Sequence, residues 1–118
     1  MNHFISLETA TAMTARYRIN RNSIVKTEFE NSNLLAVCET FERAAFDTIL
    51  SESGCEHLRI YFGMDEDLKI HAIIVAVDGE GKDILPTGLQ RSTTDPGSII
   101  ENGNRCPELC PPPSDLNS

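Results

Sequence analysis

The chain of 118 residues has no tryptophan, few aromatic residues and far fewer basic than acidic side chains. Ten lysines and arginines against 18 aspartates and glutamates leave a net charge of −8. Proteins that bind nucleic acid or anionic lipid do so through clustered Lys and Arg that displace counterions. The charge balance therefore argues against nucleic acid and against a membrane surface as partners.

Long apolar segments are also missing. The longest apolar run, "AIIVAV" at 72–77, has the length of a strand, whereas a membrane-spanning helix needs about 20 residues. The first residues, "MNHFISLETATAMTARYR", lack the basic leader and apolar segment of a secretory signal. We therefore expect a cytoplasmic protein whose four cysteines are reduced.

The common catalytic motifs are absent too. The sequence has no Gly-x-Ser-x-Gly elbow, no P-loop, no dinucleotide-binding glycine pattern and no His-Glu-x-x-His helix. His71 could activate a serine or cysteine, but nothing in the order of residues selects one. A non-catalytic protein without a cofactor is expected, and a small hydrolase or isomerase that uses His71 is an alternative.

Two segments have the periodicity of helices. Residues 5–24 place apolar side chains at helical spacing after Ser6, which suits an N-cap. Residues 39–52 form a second such segment, and Gly54 suits a left-handed C-terminal stop. Residues 34–37, "LLAV", fit either a short strand or an extended lead-in to the second helix.

The period then changes from 3.6 to 2. In "HLRIYFG" and "LKIHAIIVAV", even-numbered apolar residues alternate with odd-numbered polar ones up to Ala72. Beyond Ala72 both faces are apolar, which predicts that the far half of the second segment is central in the sheet. The turn "GMDED" predicts that the two segments pair as an antiparallel hairpin. A short connection would set His71 opposite either Arg59 or Tyr61, with the even-numbered residues of both strands buried.

These elements predict an α+β fold. Two helices would pack on one face of a small antiparallel sheet of about three or four strands, with a last short strand at 98–101. The single domain would span 1–105 and be followed by a Cys/Pro-rich tail at 106–118. Residues 86–98, rich in Pro, Gly and hydroxyl side chains, are typical of a mobile loop.

The polar face of the hairpin is the candidate binding surface. Arg59, Tyr61, Lys69 and His71 share it, and such a cluster could hold a carboxylate or a phosphate. Cross-strand pairs on a solvated sheet face would give the same pattern. The apolar residues at 73 and 75 on this face indicate partial cover by the tail or by a second subunit.

Cys106 and Cys110, each followed by proline, allow three interpretations. They could pack structurally, form a disulfide with each other, or supply half of a zinc site. A second ligand pair is not evident, because Cys38 and Cys55 lie 17 positions apart and the histidines are isolated.

Three stretches, "GCEHLRIYFGMDED", "HAIIVAVDGEGKDIL" and "IIENGNRCPELCPPPSDLN", resemble in order and spacing a group of small bacterial proteins with no assigned activity. The resemblance covers the C-terminal half of the chain. It implies an intact domain and draws attention to six positions: Cys55, Arg59, Tyr61, Gly63, Cys106 and Cys110. It implies no reaction, cofactor or partner.

The sequence as a whole therefore predicts a non-catalytic binding or assembly module. Its contact surface would be the exposed sheet face together with the C-terminal tail, and its partner another protein or a second copy that forms a homodimer. The alternative from another class is a metal- or thiol-dependent protein organised by Cys106 and Cys110.

Overall fold

The computed structural model describes residues 2–92 and 97–118, in which the chain forms two compact units. The first unit contains Met1–Glu39 and Arg105–Ser118, and the second contains Thr40–Asn104. Residues 93–96 of the predicted loop lie outside the described residues, and Gly88–Ser92 forms a short 3-10 helix.

Helix α1, Leu7–Asn20, belongs to the first unit. It begins at Ser6, whose side-chain oxygen accepts a hydrogen bond of 3.0 Å from the backbone N–H of Thr9, as an N-cap does. The predicted cap is confirmed, and the helix is shorter than the predicted 5–24. Near its end, Arg18 donates to the carbonyl oxygens of Leu116 and Ser118 and so binds the C-terminal residues.

The backbone of residues 33–36 is held by side chains and forms no strand. Each of its four carbonyl oxygens accepts a hydrogen bond from Tyr17, Arg21 or Arg105, at 2.5 to 3.2 Å. Burial raises the pKa of Tyr17, and the positive charges of Arg21 and Arg105 oppose that rise. Strand β1 comes later than "LLAV", at Cys38–Thr40, and pairs with β5, Asn104–Cys106.

Helix α2 spans Arg43–Leu50. The predicted start at residue 39 is wrong, because the chain up to Thr40 is extended and paired with the distant strand β5. Phe41, which precedes the N-cap, packs edge-to-face on Phe46 in the first turns, with ring centroids 5.9 Å apart. This contact has the positions of a hydrophobic staple. Gly54 has the predicted left-handed conformation, with φ of 85°, but it is not the helix stop, because α2 ends at Leu50 with Ser51 as its C-cap.

The second unit contains a three-stranded antiparallel sheet with the order β2-β3-β4. Its strands are β2 (His57–Met64), β3 (Ile70–Val77) and β4 (Ile99–Ile100). The predicted hairpin and last strand are confirmed, but both predicted registers are wrong. His71 lies opposite Gly63 and Ile74 lies opposite Ile60.

The register differs because the connection is longer than the shortest turn. One carboxylate oxygen of Asp65 accepts hydrogen bonds from the backbone N–H groups of Asp67 and Lys69, at 2.9 and 3.0 Å. Leu68 adopts a left-handed φ of 68°. An aspartate that bonds to the backbone two residues later stabilises such a loop, so residues 65–69 form the connection.

The core lies between α2 and the inner part of the sheet. Its buried residues are Ile49 of α2, Ile74 and Ala76 of β3, and Ile100 of β4. Partly buried apolar side chains surround them: Phe41, Ala45, Phe46, Cys55 and Ile84. The α+β class is confirmed. None of the helices in the described residues is both long enough and apolar enough to cross a bilayer.

Candidate functional site

The register places Arg59, Tyr61 and His71 on one face of the sheet, because all three are odd-numbered and paired positions keep that parity. Lys69 lies in the turn immediately before β3, where its backbone N–H donates to Asp65. The sequence therefore identified the shared face of the three strand residues. It did not identify the groups that they contact.

Arg59 and Tyr61 both bind Asp83, which follows the turn after β3. The guanidinium of Arg59 donates to one carboxylate oxygen of Asp83 at 2.6 Å and to the carbonyl oxygen of Gly81 at 3.2 Å. The hydroxyl of Tyr61 donates to the other oxygen at 2.5 Å. The hydrogen bond from Tyr61, followed by that from Arg59, lowers the pKa of Asp83. Both donors are therefore already engaged within the chain.

This polar network extends across β3. The backbone of Asp83 forms an isolated antiparallel β-bridge with Val77 on one edge of β3, whereas Arg59 is paired with Val75 on the opposite edge. The ion pair therefore passes over the outer face of β3, where Val75 and Val77 are each only 2% exposed. Val75, one of the two positions at which we expected cover by the tail or by a second subunit, is therefore buried without a second subunit.

His71 forms a separate cluster with two carboxylates. Its Nε2 lies 2.7 Å from Asp65 and its Nδ1 lies 3.6 Å from Glu101. Nδ1 is buried and has no hydrogen-bond partner among the described residues. The hydrogen bond with His71 is the main cause of the lowered pKa of Asp65, and backbone N–H groups add to it. The imidazole is thus oriented by Asp65, with its second nitrogen towards Glu101.

The two polar clusters are separated by an apolar contact. Ile73 lies opposite Tyr61, between Val75 and His71 along β3. Its Cδ1 atom covers the backbone of Gly63 so closely that a Cβ atom there would lie 2.6 Å away. The predicted surface is therefore divided into two internally bonded groups. Sequence reasoning missed Asp65, Asp83 and Glu101, because their partners come from other strands and nothing in the local pattern marks them.

The opposite face of β2 is apolar and exposed. Leu58, Ile60, Phe62 and Met64 are 40%, 57%, 81% and 59% exposed. The prediction that even-numbered residues of both strands are buried is therefore wrong for β2. The reason is the strand order, since β2 is an outer strand and α2 packs against β3 and β4.

The same four residues also direct their backbone N–H and C=O groups towards the unpaired edge of β2. The carbonyl oxygen of Val77 accepts from Glu56 on the β2 side, whereas that of Ala76 accepts from Ile84 on the other side. At the other end of the hairpin, the backbone N–H of Asp65 donates to the carbonyl oxygen of Lys69, so this odd-numbered pair also bonds across the two strands. Hence odd-numbered residues of β2 bond to β3, and even-numbered ones direct N–H and C=O outward. Within the described residues, no strand pairs with that edge.

Cys106 and Cys110 are joined by a disulfide. The expectation of reduced thiols is wrong for this pair, and of the three interpretations the disulfide is the one that the structure contains. In this form neither sulfur is available as a thiolate ligand. Cys38 and Cys55 are free and partly buried. In residues 2–92 and 97–118, no group of three His, Cys, Asp or Glu side chains is arranged to hold a metal ion.

A cavity of about 270 Å³ lies between α2 and β4. Its lining includes Glu101, which directly follows β4, but not His71. The hydrolase alternative requires a concave site beside His71, and this cavity does not supply one.

Comparison with known proteins supplies no relative. The chain matches no protein-family model, no curated protein and no solved structure.

Proposed function

We propose that this protein is a small, non-catalytic module for protein binding or assembly, with β2 as its contact strand. The observation that carries the proposal is the exposure of the even-numbered apolar residues of β2, with Phe62 at 81%. Contiguous apolar patches on a protein surface mark interaction sites, since leaving them in water costs free energy. The absence of protective devices on β2 supports the same conclusion.

Exposed edge strands in stable monomers are commonly protected by lysine, proline or a bulge. Residues 57–64 contain neither lysine nor proline. They pair without interruption along the whole of β3, which excludes a bulge in this pairing. The one arginine, Arg59, is held on the opposite face by Asp83. Nothing in β2 itself therefore prevents another strand from pairing with it.

The polar face acts as a support in this proposal. Arg59 and Tyr61 anchor β2 to the far side of β3 through Asp83 and so keep its outer edge straight. In this proposal the surface first expected at Arg59, Tyr61, Lys69 and His71 forms a polar rim for the partner. A cytoplasmic location is retained as a prediction, and the Cys106–Cys110 disulfide weighs against it, because the cytosol keeps most thiols reduced.

Photo-crosslinking in the producing cells tests the proposal. A photoreactive phenylalanine analogue replaces Phe62, and the matched control places it at Leu89, which is 99% exposed and lies in the same unit. We expect a protein adduct from position 62 at several times the yield from position 89. Equal yields at the two positions, or none at either, would contradict the proposal.

A second candidate function is a thiol-dependent protein, and the disulfide between Cys106 and Cys110 is the observation that favours it. A redox-active pair equilibrates with glutathione, whereas a structural disulfide resists reduction at cellular potentials. Titration of thiols across glutathione redox buffers distinguishes the two. If two additional thiols appear at a glutathione redox potential near that of the cytosol, the thiol-dependent function is supported. If the thiol count does not change at that potential, this function is excluded.

A further inference from the structure

We infer that the occupant of the β2 edge is β2 of a second copy of this chain, paired antiparallel about a two-fold axis. This inference rests on the proposed function and names its partner. Two such copies would form one continuous six-stranded sheet, with the order β4-β3-β2-β2-β3-β4. The geometry points to one particular register.

The outward backbone groups restrict the pairing. Only even-numbered residues of β2 have free N–H and C=O groups, so a two-fold pairing must set even-numbered residues opposite one another. In antiparallel sheets such a pair exchanges two hydrogen bonds. Three registers keep most of the strand paired, and they set Ile60 opposite Ile60, Phe62 or Met64 of the second copy.

The middle register pairs the most groups. With Ile60 opposite Phe62, and Leu58 opposite Met64, all four even-numbered residues of both strands are matched. Four pairs with two bonds each give about eight hydrogen bonds. The two neighbouring registers match only three pairs inside the strands, or about six bonds. The pairing of Ile60 with Phe62 is therefore favoured, since each additional hydrogen bond contributes to stability.

The odd-numbered side chains are compatible with this register. Tyr61 lies opposite Tyr61 of the second copy on the two-fold axis, and cross-strand aromatic pairs are favourable. Arg59 lies opposite Gly63, which has no side chain to obstruct it. His57 lies opposite Asp65, at the end of the strand. No like charges face each other within 57–64, and the apolar residues of the two even-numbered faces become neighbours.

The net charge distinguishes a second copy from a basic partner protein, because the two kinds of binding depend on salt in opposite directions. Two chains with a charge of −8 each repel one another. An interface of apolar side chains and backbone hydrogen bonds must overcome that repulsion, and salt screens it. Self-association should therefore become tighter as salt is raised. Binding to a basic partner would become weaker.

Purified full-length protein tests the inference directly. Sedimentation equilibrium should give a mass of twice 13.1 kDa, with a dissociation constant that falls as sodium chloride is raised. Ile60→Pro removes an outward N–H in each copy and no bond to β3, so it should weaken the dimer at least about 30-fold. Ile60→Thr keeps the N–H and should weaken the dimer less.

The register is tested by cysteine cross-linking. Tyr61→Cys places two thiols opposite each other across the axis, about 4.5–5.5 Å between Cβ atoms, which is close enough for a disulfide after oxidation. His57→Cys is the matched control, because its two copies would lie roughly 27 Å apart at 3.4 Å per residue. Oxidation of the wild-type protein shows whether the free thiols of Cys38 and Cys55 form a cross-link by themselves. Circular dichroism checks that each variant folds.

The outcomes separate the inference from the proposed function. A dimer that cross-links through position 61 and not position 57 supports both. A dimer that cross-links through neither overturns the β2 pairing. A monomer at all salt concentrations, combined with a Phe62 adduct to a different protein in cells, overturns the second copy and leaves the binding module intact. A monomer with no such adduct, or with a cross-link inside one chain, overturns both.

Discussion

β2 and β3 carry matching apolar residues on their even-numbered face, and these have opposite fates, although β3 is apolar on its odd-numbered face as well from Ile73 onward. Ile74 is 3% exposed, while Ile60, which lies directly opposite it on the same face, is 57% exposed. β3 is the central strand and has α2 above it, whereas β2 has a neighbour on one side only. The comparison shows that an alternating pattern defines a face that can be buried. The position of the strand in the sheet decides whether that face is buried.

The largest expected effect comes from truncating this matched pair. Ile74→Ala should lower the free energy of unfolding by about 2–5 kcal/mol, because it leaves a cavity beside Ile49 and Ile100. Ile60→Ala removes a half-exposed side chain and should cost less than about 1 kcal/mol in the monomer. Urea unfolding of dilute protein measures both. Equal losses would show that the face of β2 is covered.

A medium effect is expected where β2 and β3 touch most closely. Gly63→Ala would place a Cβ atom 2.6 Å from Cδ1 of Ile73, so that side chain must move. We expect a loss of about 1 kcal/mol, in the lower range for overpacking. Ile73→Val lacks the Cδ1 atom, so the double variant should recover most of the loss attributed to Gly63→Ala. Thermal unfolding of the four proteins forms a double-mutant cycle, and strict additivity would refute the contact.

The smallest effect concerns the polar tie between the strands. The pKa of Asp83 is lowered in the folded protein by Tyr61 and Arg59, so its contribution is complete above the unfolded pKa of about 4 and is lost as the pH falls through the lower folded value. Asp83→Asn should therefore reduce stability at neutral pH. The difference from wild type should shrink below pH 4.

Urea unfolding between pH 7 and pH 3 measures this difference. Asp78→Asn is the control, because the pKa of Asp78 is lowered mainly by backbone N–H groups in its own turn and not by β2. A constant difference for Asp83→Asn at every pH would show that the carboxylate charge does not hold β2 to β3.

Much of the fold was predictable wherever the signal is local. Ser6 is an N-cap because its own side chain reaches Thr9, and Gly54 is left-handed because glycine adopts that conformation without strain, although α2 ends before it at Leu50. Residues 39–42 were misassigned because β1 is extended only through its pairing with β5, which is distant in sequence. The candidate site follows the same division. The shared face of Arg59 and Tyr61 was evident from alternation, and their partner Asp83 was not.

The sequence by itself determined the α+β class, the hairpin, its parity and the side chains that share each face, because these depend on periods of 3.6 and 2 and on turn residues. The tertiary structure alone decided the register, the outer position of β2, the pairing of Cys106 with Cys110 and the carboxylates that bind Arg59 and His71. Those features depend on contacts between residues far apart in the chain, and loop geometry and packing select them only once the strands have met.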